Sequence, residues 1–193
     1  MFAKVILASK PTNDAPPILT IHTRHPRIIH AEWNTHRAIS KNARSSRAVP
    51  VGKMLEEVRN DPFVPRHWGK HQKGMQAGED HNNTLYWFDD TGHALEGTRE
   101  EAWLAARDHA VNFAEAYMNA GYHKQIPNRL LEPFMWIDVL STANLDAWNA
   151  MIHLRDHKDA EPHFQDLAKL VGKAIDEAEY QELLPGEWHL PYV

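Results

Sequence analysis

The chain has 193 residues, of which 42% are hydrophobic and 24% are charged, with a formal net charge of −5 and no cysteine. This composition is typical of one soluble globular domain, and it excludes a disulfide framework, a thiolate zinc site and a cysteine nucleophile. No window approaches the roughly eighteen apolar residues that a membrane span needs, so we expect no membrane partner. The apolar run Met1–Leu7 has no charged leader followed by a cleavage site, which predicts a first strand rather than a signal peptide.

The first quarter of the chain shows extended patterns followed by a helical one. β-Branched and apolar residues bounded by prolines predict strands at Val5–Ala8 and Ile18–Thr23. Pro26 suits the first turn of a helix, and apolar residues at helical spacing continue that helix as far as His36. The polar segment Ser40–Arg47 that follows is interpreted as a loop.

The rest of the chain is mainly helical. An amphipathic helix is predicted at Gly52–Arg59 and a long surface loop at Asn60–Asp80. The capping box Thr98-Arg99-Glu100-Glu101 starts a helix that we expect to end near Asn119, before Gly121. The last three predicted elements are one strand and two helices: Phe134–Leu140, Asn144–Arg155 and Pro162–Tyr180. Segregated strands and helices of this kind predict an α+β fold in which an antiparallel sheet packs with several helices.

Basic residues are concentrated in one part of the chain. Seven basic residues and one acidic residue lie from Arg24 to Lys53, a local charge of +6 in a chain of net charge −5. A local positive region in an acidic protein favours a small anionic ligand, and no nucleic-acid partner is expected. Arginine guanidinium groups and Ser/Thr hydroxyls, which are interleaved from Thr35 to Ala48, bind phosphate oxygens with defined geometry.

The pattern H-R-x-x-S-x-N-x-x-S-x-R at residues 36–47 closely resembles the signature of flavin-dependent thymidylate synthases. Five further blocks, in the same order, resemble phage-type members of that family. These blocks are Pro26–Glu32, Ser45–Val51, His67–Ala77, His123–Phe134 and Gly186–Val193. Six ordered blocks across most of the chain make chance similarity very improbable.

The resemblance implies a single dUMP- and FAD-binding domain over residues 1–193 and a homotetramer with active sites built from several protomers. It implies reductive methylation of dUMP to dTMP, in which methylenetetrahydrofolate supplies the carbon and FAD, reduced by NADPH, supplies the hydride. The absence of cysteine agrees with this chemistry, because the thiolate route of ordinary thymidylate synthases is closed. The expected location is the cytoplasm of a bacterium or of a phage-infected host cell.

The resemblance also assigns the residues that bind dUMP. Ser45, Ser46 and Arg47 match the phosphate-binding loop, and Arg129 matches a second phosphate-binding arginine, donated across a subunit interface. Glu32 is a candidate nucleotide contact, although an intrahelical salt bridge is an equally plausible role for it. Ser45 has no adjacent base in the sequence, so it is interpreted as a ligand of the nucleotide and not as a nucleophile.

Arg155 matches the arginine that contacts the uracil ring. By polarising a pyrimidine carbonyl it would disperse the negative charge that develops when carbon or hydride adds to the ring. Arg155 is therefore the predicted catalytic residue, whose loss should abolish turnover.

Four positions match residues that touch the flavin: His36, Arg37, Asn42 and Asn144. Thr35 stands where cellular members have an arginine, so a direct arginine–flavin contact is lost here. Asn149 is displaced by one position from the family asparagine, which makes it a doubtful flavin ligand.

A metal site is a less favoured interpretation of the fourteen histidines. His22 with His25, or His153 with His157, could start such a site, but no H-E-x-x-H motif occurs and no carboxylates converge with these pairs, so no metal is expected.

One segment of the family pattern has no counterpart in the chain. Family members usually carry a histidine followed closely by Pro-Phe-Glu-His, a segment that helps to hold the flavin ring and the folate. Two alternatives to a complete synthase therefore stay open. One is a pyrimidine-nucleotide hydroxymethylase, in which water ends the reaction in place of hydride. The other is the nucleotide-binding subunit of a split enzyme, inactive until a second chain supplies the missing segment.

Overall fold

The computed structural model describes residues 1–74 and 78–192, so the end of the block His67–Ala77 and the last residue of the block Gly186–Val193 lie outside the described residues. The chain divides into two compact units, which we describe separately. The sheet unit comprises Met1–Arg44 and Trp136–Val193, and the helical unit comprises Ser45–Met135. The predicted extent of one dUMP- and FAD-binding domain, residues 1–193, stays a prediction.

The sheet unit is built on a five-stranded sheet. Its strands are β1 (Phe2–Pro11), β2 (Ile18–Pro26), β3 (Ser40–Ala43), β6 (Trp136–Asn144) and β7 (Gln181–Leu183). They lie in the order β3-β6-β2-β1-β7, and all neighbours are antiparallel except β1 and β7, which pair in parallel. The predicted α+β class with a mainly antiparallel sheet is confirmed.

The core of this unit lies on one face of the sheet. Alternating residues of β2 and β6, such as Leu19, Ile21 and Val139, are buried on that face. Two helices, α5 (Leu145–Arg155) and α6 (Pro162–Asp176), cover them with the buried side chains of Trp148 and Phe164. Burial of the large aromatic residues contributes strongly to stability because the hydrophobic effect scales with the apolar area removed from water.

Two predictions for the segment between β2 and the helix that begins at Val51 are wrong. The helix expected to reach His36 is shorter, because a 3₁₀ turn at Arg27–Ile29 leads into a single helical turn, α1 (His30–Trp33). The Thr35 hydroxyl donates to the Glu32 carbonyl oxygen at 2.7 Å and satisfies that carbonyl outside the helix. Ser40–Ala43, expected to be a loop, forms strand β3 instead, because it pairs with the exposed edge of the longer strand β6. Pairing with a neighbouring strand thus outweighs the low strand propensity of its polar residues.

Two predicted boundaries near the C-terminal half are also wrong. The strand expected from Phe134 begins at Trp136, since Pro133 favours the 3₁₀ turn Glu132–Phe134 before it. The last helix ends at Asp176 and not at Tyr180, because the chain leaves the helix to pair β7 with β1.

In the part of the helical unit that the structure describes, there are three α-helices and a hairpin. The helices are α2 (Val51–Asn60), α3 (Arg99–Asn119) and α4 (Gln125–Leu130), and the hairpin strands are β4 (Leu85–Phe88) and β5 (Ala94–Gly97). The predicted capping box is confirmed, since Glu101 N–H donates to Thr98 Oγ1 and Thr98 N–H donates to Glu101 Oε2. Gly121 has a φ of +80°, which explains the glycine just after α3. No helix within the described ranges is both long and apolar enough to cross a membrane.

Candidate functional site

Arg155, the last residue of α5, is the centre of a polar cluster in the sheet unit. Its Nη1 donates to Glu32 Oε2 at 2.9 Å and its Nε donates to His36 Nε2 at 2.9 Å. Its Nη2 donates to Thr35 Oγ1 at 3.3 Å. Glu32 lies on α1, and the other two partners lie in the turn after it, so one short segment supplies all three acceptors. The structure thus brings together Glu32, His36 and Arg155, three of the residues predicted from the sequence, and the ion pair of Glu32 is not intrahelical.

The guanidinium group retains donors for a ligand. Arginine has five N–H groups, and three of them are used by Glu32, His36 and Thr35. One N–H on each terminal nitrogen of Arg155 therefore has no partner within residues 1–74 and 78–192, and 17% of the side chain is accessible to solvent. Two neighbouring donors of this kind suit a carbonyl or a carboxylate, which can accept both.

His36 is uncharged at neutral pH and acts as an acceptor. Burial, and then the nearby cations of Arg155 and Lys41, lower the pKa of His36 from 6.5 to about 4. Its Nε2 can therefore accept the hydrogen bond from Arg155. The ammonium group of Lys41 donates to the carbonyl oxygens of His36 and Ile39 and thereby holds the turn in place.

A pocket of about 390 Å³ adjoins this cluster. Its lining residues come from the end of α5 and the turn that follows: His153, Leu154, Arg155, His157, Asp159 and Ala160. The backbone N–H of Asp159 donates to His157 Nδ1 at 3.2 Å, so a neutral His157 carries its proton on Nε2. The volume suits a small molecule of the size of a nucleobase, and the lining supplies several N–H donors.

The predicted phosphate loop lies in the helical unit, where α4 holds it. Asn128 Nδ2 donates to the carbonyl oxygens of Ser46 at 2.7 Å and of Val49 at 3.0 Å. Lys124 Nζ adds a hydrogen bond to the carbonyl oxygen of Ala48 at 3.2 Å. The loop with its predicted phosphate ligands is therefore joined to the helix that carries Arg129.

The side chains of this loop are turned to solvent. Ser45, Arg47 and Arg129 are exposed and Ser46 is half-buried. Ser45 Oγ accepts a hydrogen bond from the backbone N–H of Arg47 at 3.3 Å, which shapes the turn. Two exposed guanidinium groups on a hydrogen-bonded loop and its supporting helix can bind an anion without first losing an internal partner.

The structure does not gather the other predicted flavin residues around Arg155. Arg37 and Asn42 are exposed, and Asn42 lies on the edge strand β3. Asn144 caps α5, since its Oδ1 accepts the backbone N–H of Ala147 at 2.9 Å. Asn149 is exposed on α5. Among the described residues, none of these four side chains makes a hydrogen bond to Arg155.

The sequence does not identify three residues that contact these clusters, one of which is Phe164, whose ring centroid lies 4.6 Å from the guanidinium carbon of Arg155. Asn128 shows only as the neighbour of Arg129, and Phe164 shows only as an apolar position of a helix. Thr35 is noted as a departure from the family pattern, without any sign that its hydroxyl faces Arg155. Asn128, which directly precedes the predicted phosphate ligand Arg129, is the one local signal for a supporting role, because a buried asparagine needs hydrogen-bond partners.

The histidine pairs considered for a metal do not form a site. His22 and His25 lie an odd number of residues apart on β2 and so face opposite sides of the sheet. His22 Nε2 instead lies 3.0 Å from Asp138 Oδ1, and His25 is buried in the core. Within residues 1–74 and 78–192, no group of three or more potential ligand side chains is placed to hold a metal ion.

We expect the substitution Asn128→Ala to lower the free energy of unfolding by about 2–3 kcal/mol, because the buried carbonyl group of Val49 and the partly buried one of Ser46 both lose this donor. Urea unfolding followed by circular dichroism measures this change. Asn119→Ala, at an exposed position in the same unit, is the matched control and should shift stability by no more than about 0.5 kcal/mol. Equal stabilities of the two variants would contradict the role given to Asn128.

No protein-family model and no curated protein matches the chain by sequence. Comparison with solved structures does find similar folds. Flavin-dependent thymidylate synthase ThyX from Helicobacter pylori, complexed with FAD and dUMP, superposes with a TM-score of 0.57 at 13% identity, over 82% of this chain and 67% of that one. A UMP/dUMP methylase, PolB from Streptomyces cacaoi, bound with 5-Br dUMP, gives a TM-score of 0.60 at 17% identity, over 88% of this chain and 69% of that one.

The fold that the sequence resemblance predicts is therefore confirmed. The chain spans about two thirds of the length of these neighbours. At 13–17% identity the likeness concerns the fold, and the phage-type subclass stays a prediction.

Proposed function

We infer that this chain, which has the fold of flavin-dependent thymidylate synthases, is an enzyme that converts dUMP to dTMP by reductive methylation. The observation that carries the inference is the Arg155 cluster, with two free N–H donors beside a pocket of about 390 Å³. Solved neighbours of the same fold are complexed with dUMP or with 5-Br dUMP, which supports a uracil nucleotide as the ligand.

We assign the two ends of dUMP to the two clusters described above. Ser45, Ser46 and Arg47, with Arg129, would hold the phosphate through hydroxyl groups and guanidinium groups. Arg155 would donate to a carbonyl of the uracil ring, and Glu32 would hold Arg155 in place. Because the resemblance implies a homotetramer with active sites shared between protomers, the phosphate and the base need not be bound by one chain.

Arg155 would accelerate the reaction by electrostatic stabilisation. Addition at the uracil ring places negative charge on a ring carbonyl, and a fixed guanidinium group stabilises that charge as it forms. Its hydrogen bonds to Glu32, His36 and Thr35 orient Arg155 before the substrate binds, so little reorganisation is needed. The low pKa of His36 keeps a second positive charge away from Arg155.

Of the residues predicted to hold FAD, two have side chains available to bind it and two have side-chain atoms already engaged within the protein. Arg37 and Asn42 are exposed polar side chains that make no side-chain hydrogen bond or ion pair within the described residues, and they can donate to a diphosphate or to ring carbonyls. His36 Nε2 and Asn144 Oδ1 are already used inside the protein, so these residues would need other atoms to reach a flavin. Reduced FAD would supply the hydride, with NADPH as the reductant and methylenetetrahydrofolate as the carbon donor.

Anaerobic incubation of the protein with dUMP, FAD, NADPH and methylenetetrahydrofolate, followed by mass spectrometry of the nucleotide, tests this function. We expect a product heavier than dUMP by one CH₂ group. A hydroxymethyl product would show that the enzyme is a hydroxymethylase and not a synthase. Binding of dUMP without any product would favour the nucleotide-binding subunit of a split enzyme. A protein that neither binds nor converts dUMP would overturn the proposed function.

We expect Arg47→Ala to weaken dUMP binding by about 1.5–3 kcal/mol, roughly tenfold or more, because a charged hydrogen bond to the phosphate is lost. Calorimetric titration measures the affinity, and Lys53→Ala, an exposed cation of the same unit, is the control. Deoxyuridine, which has no phosphate, should bind both proteins equally. An equal loss of affinity for deoxyuridine would show that Arg47 does not bind the phosphate.

A further inference from the structure

Phe164 lies at the meeting point of the Arg155 cluster and the hydrophobic core. Its side chain has no solvent exposure. The guanidinium carbon of Arg155 lies 4.6 Å from the centroid of the Phe164 ring. The ring of His36 meets the same phenyl ring edge-on, with centroids 5.5 Å apart and planes at 85°. One aromatic ring therefore contacts both Arg155 and the histidine to which Arg155 donates.

These contacts complement the hydrogen bonds of Arg155. Glu32, His36 and Thr35 bind nitrogen atoms along the edge of the guanidinium group and so set its position within its own plane. Hydrogen bonds along the edge of a guanidinium group restrain its movement within the plane more strongly than they restrain tilting of the plane. An aromatic ring packed against one face opposes that tilting. The guanidinium carbon lies over the Phe164 ring, so a residue that makes no hydrogen bond to Arg155 limits how far its guanidinium group can move.

Phe164 is itself held firmly in the first turn of α6. Glu161 caps this helix, and its Oε2 accepts the backbone N–H of Phe164 at 2.8 Å. The other carboxylate oxygen lies 2.7 Å from Nδ1 of the buried His163. Trp33 also packs against the phenyl ring, at 5.7 Å between centroids. A capped helix end and a packed core thus leave the ring little freedom to move.

We propose that Phe164 is a positioning residue for recognition of the pyrimidine: it holds the plane of Arg155, together with His36, so that the two remaining N–H groups face the base. The proposal rests on the proposed function for the identity of the ligand. It does not depend on that function for its geometric part, which is the immobilisation of Arg155 by Phe164.

The geometric part can be tested without any ligand. In the wild-type protein we expect the Nε–H proton of Arg155, which donates to His36, to give a resolved NMR signal with slow solvent exchange. Arg155→Lys assigns that signal by removing it. Phe164→Leu should accelerate its exchange at least tenfold, while Phe134→Leu, the same change in the core of the helical unit, should not. Unchanged exchange in Phe164→Leu would overturn the proposal.

The pyrimidine part is tested by comparing ligands. Phe164→Leu should weaken binding of dUMP about tenfold while leaving binding of inorganic phosphate unchanged, and Phe164→Tyr should restore the dUMP affinity. Phe164→Met, which keeps the apolar volume, is the second variant if leucine prevents folding. An equal loss for both ligands would reduce Phe164 to a structural role. A wild-type protein that binds phosphate but not dUMP would overturn the proposed function and the pyrimidine part, whereas the NMR result would still decide the positioning of Arg155.

Discussion

We expect Arg155→Ala to lower kcat for dUMP by about a hundredfold to a thousandfold, the range found when one preorganised donor is removed from an active site. The side chain supplies two N–H donors that have no partner among the described residues, and it is the one group in the cluster with Glu32, Thr35 and His36 that carries a positive charge at neutral pH. The same variant leaves the carboxylate of Glu32 without its partner, so the remaining pocket also becomes less favourable for an electron-rich ring. Steady-state and single-turnover kinetics under anaerobic conditions measure the loss.

Two controls separate chemistry from folding and from phosphate binding. Lys173→Ala removes an exposed cation of α6 in the same unit and should leave kcat unchanged. Binding of inorganic phosphate to Arg155→Ala should equal that of the wild type, because the assigned phosphate residues lie in the helical unit. If the Arg155→Ala protein keeps more than a tenth of the wild-type kcat, Arg155 does not have the catalytic role assigned to it.

We expect acid to destabilise this protein, because its core holds histidines that are uncharged in the folded state. Burial, then His30 and Arg27, lower the pKa of His25 from 6.5 to about 3, and burial, then Arg27 and Lys41, lower the pKa of His30 to about 4. In the unfolded chain these groups titrate near 6.5, so below that pH the unfolded state binds more protons than the native state. The native state therefore loses stability as the pH falls from about 6.5 towards 3, and His25 alone accounts for about 1.4 kcal/mol per pH unit.

Urea unfolding at a series of pH values between 7 and 4 measures this effect. His25→Leu removes the most deeply buried of these groups and should make the dependence on pH less steep. His71→Gln, at an exposed position, is the control and should keep the wild-type slope. A free energy of unfolding that is constant from pH 7 to pH 4 would show that the buried histidines do not govern acid stability.

Elements with local signals are predicted best. The capping box at Thr98 marks the start of α3, and Asn144, which caps α5, marks the start of that helix. Strand β3 escapes prediction because its polar residues gain strand structure only by pairing with β6, about a hundred residues later in the chain. The hairpin of β4 and β5 also escapes, since its strands are four residues long and mostly exposed.

For the site, too, individual residues can be predicted from local motifs, whereas the contacts between distant residues cannot. The resemblance points to Glu32, His36 and Arg155 as separate positions, but the hydrogen bonds between them join residues 119–123 apart in the chain. Such contacts depend on the packing of α5 and α1 in the finished fold, which no local pattern specifies. The supporting residues Asn128 and Phe164 are harder still to predict, because each acts through a neighbour and carries no motif of its own.

A crystal structure of the protein with dUMP bound tests the central claim most directly. The account predicts phosphate oxygens within hydrogen-bonding distance of the loop Ser45–Arg47 and of an Arg129 side chain, from the same or a neighbouring protomer. It also predicts a uracil carbonyl bound by the two free N–H groups of Arg155, with Glu32, His36 and Phe164 still in contact with that side chain. A dUMP molecule bound elsewhere, with the Arg155 pocket holding only water, would contradict it.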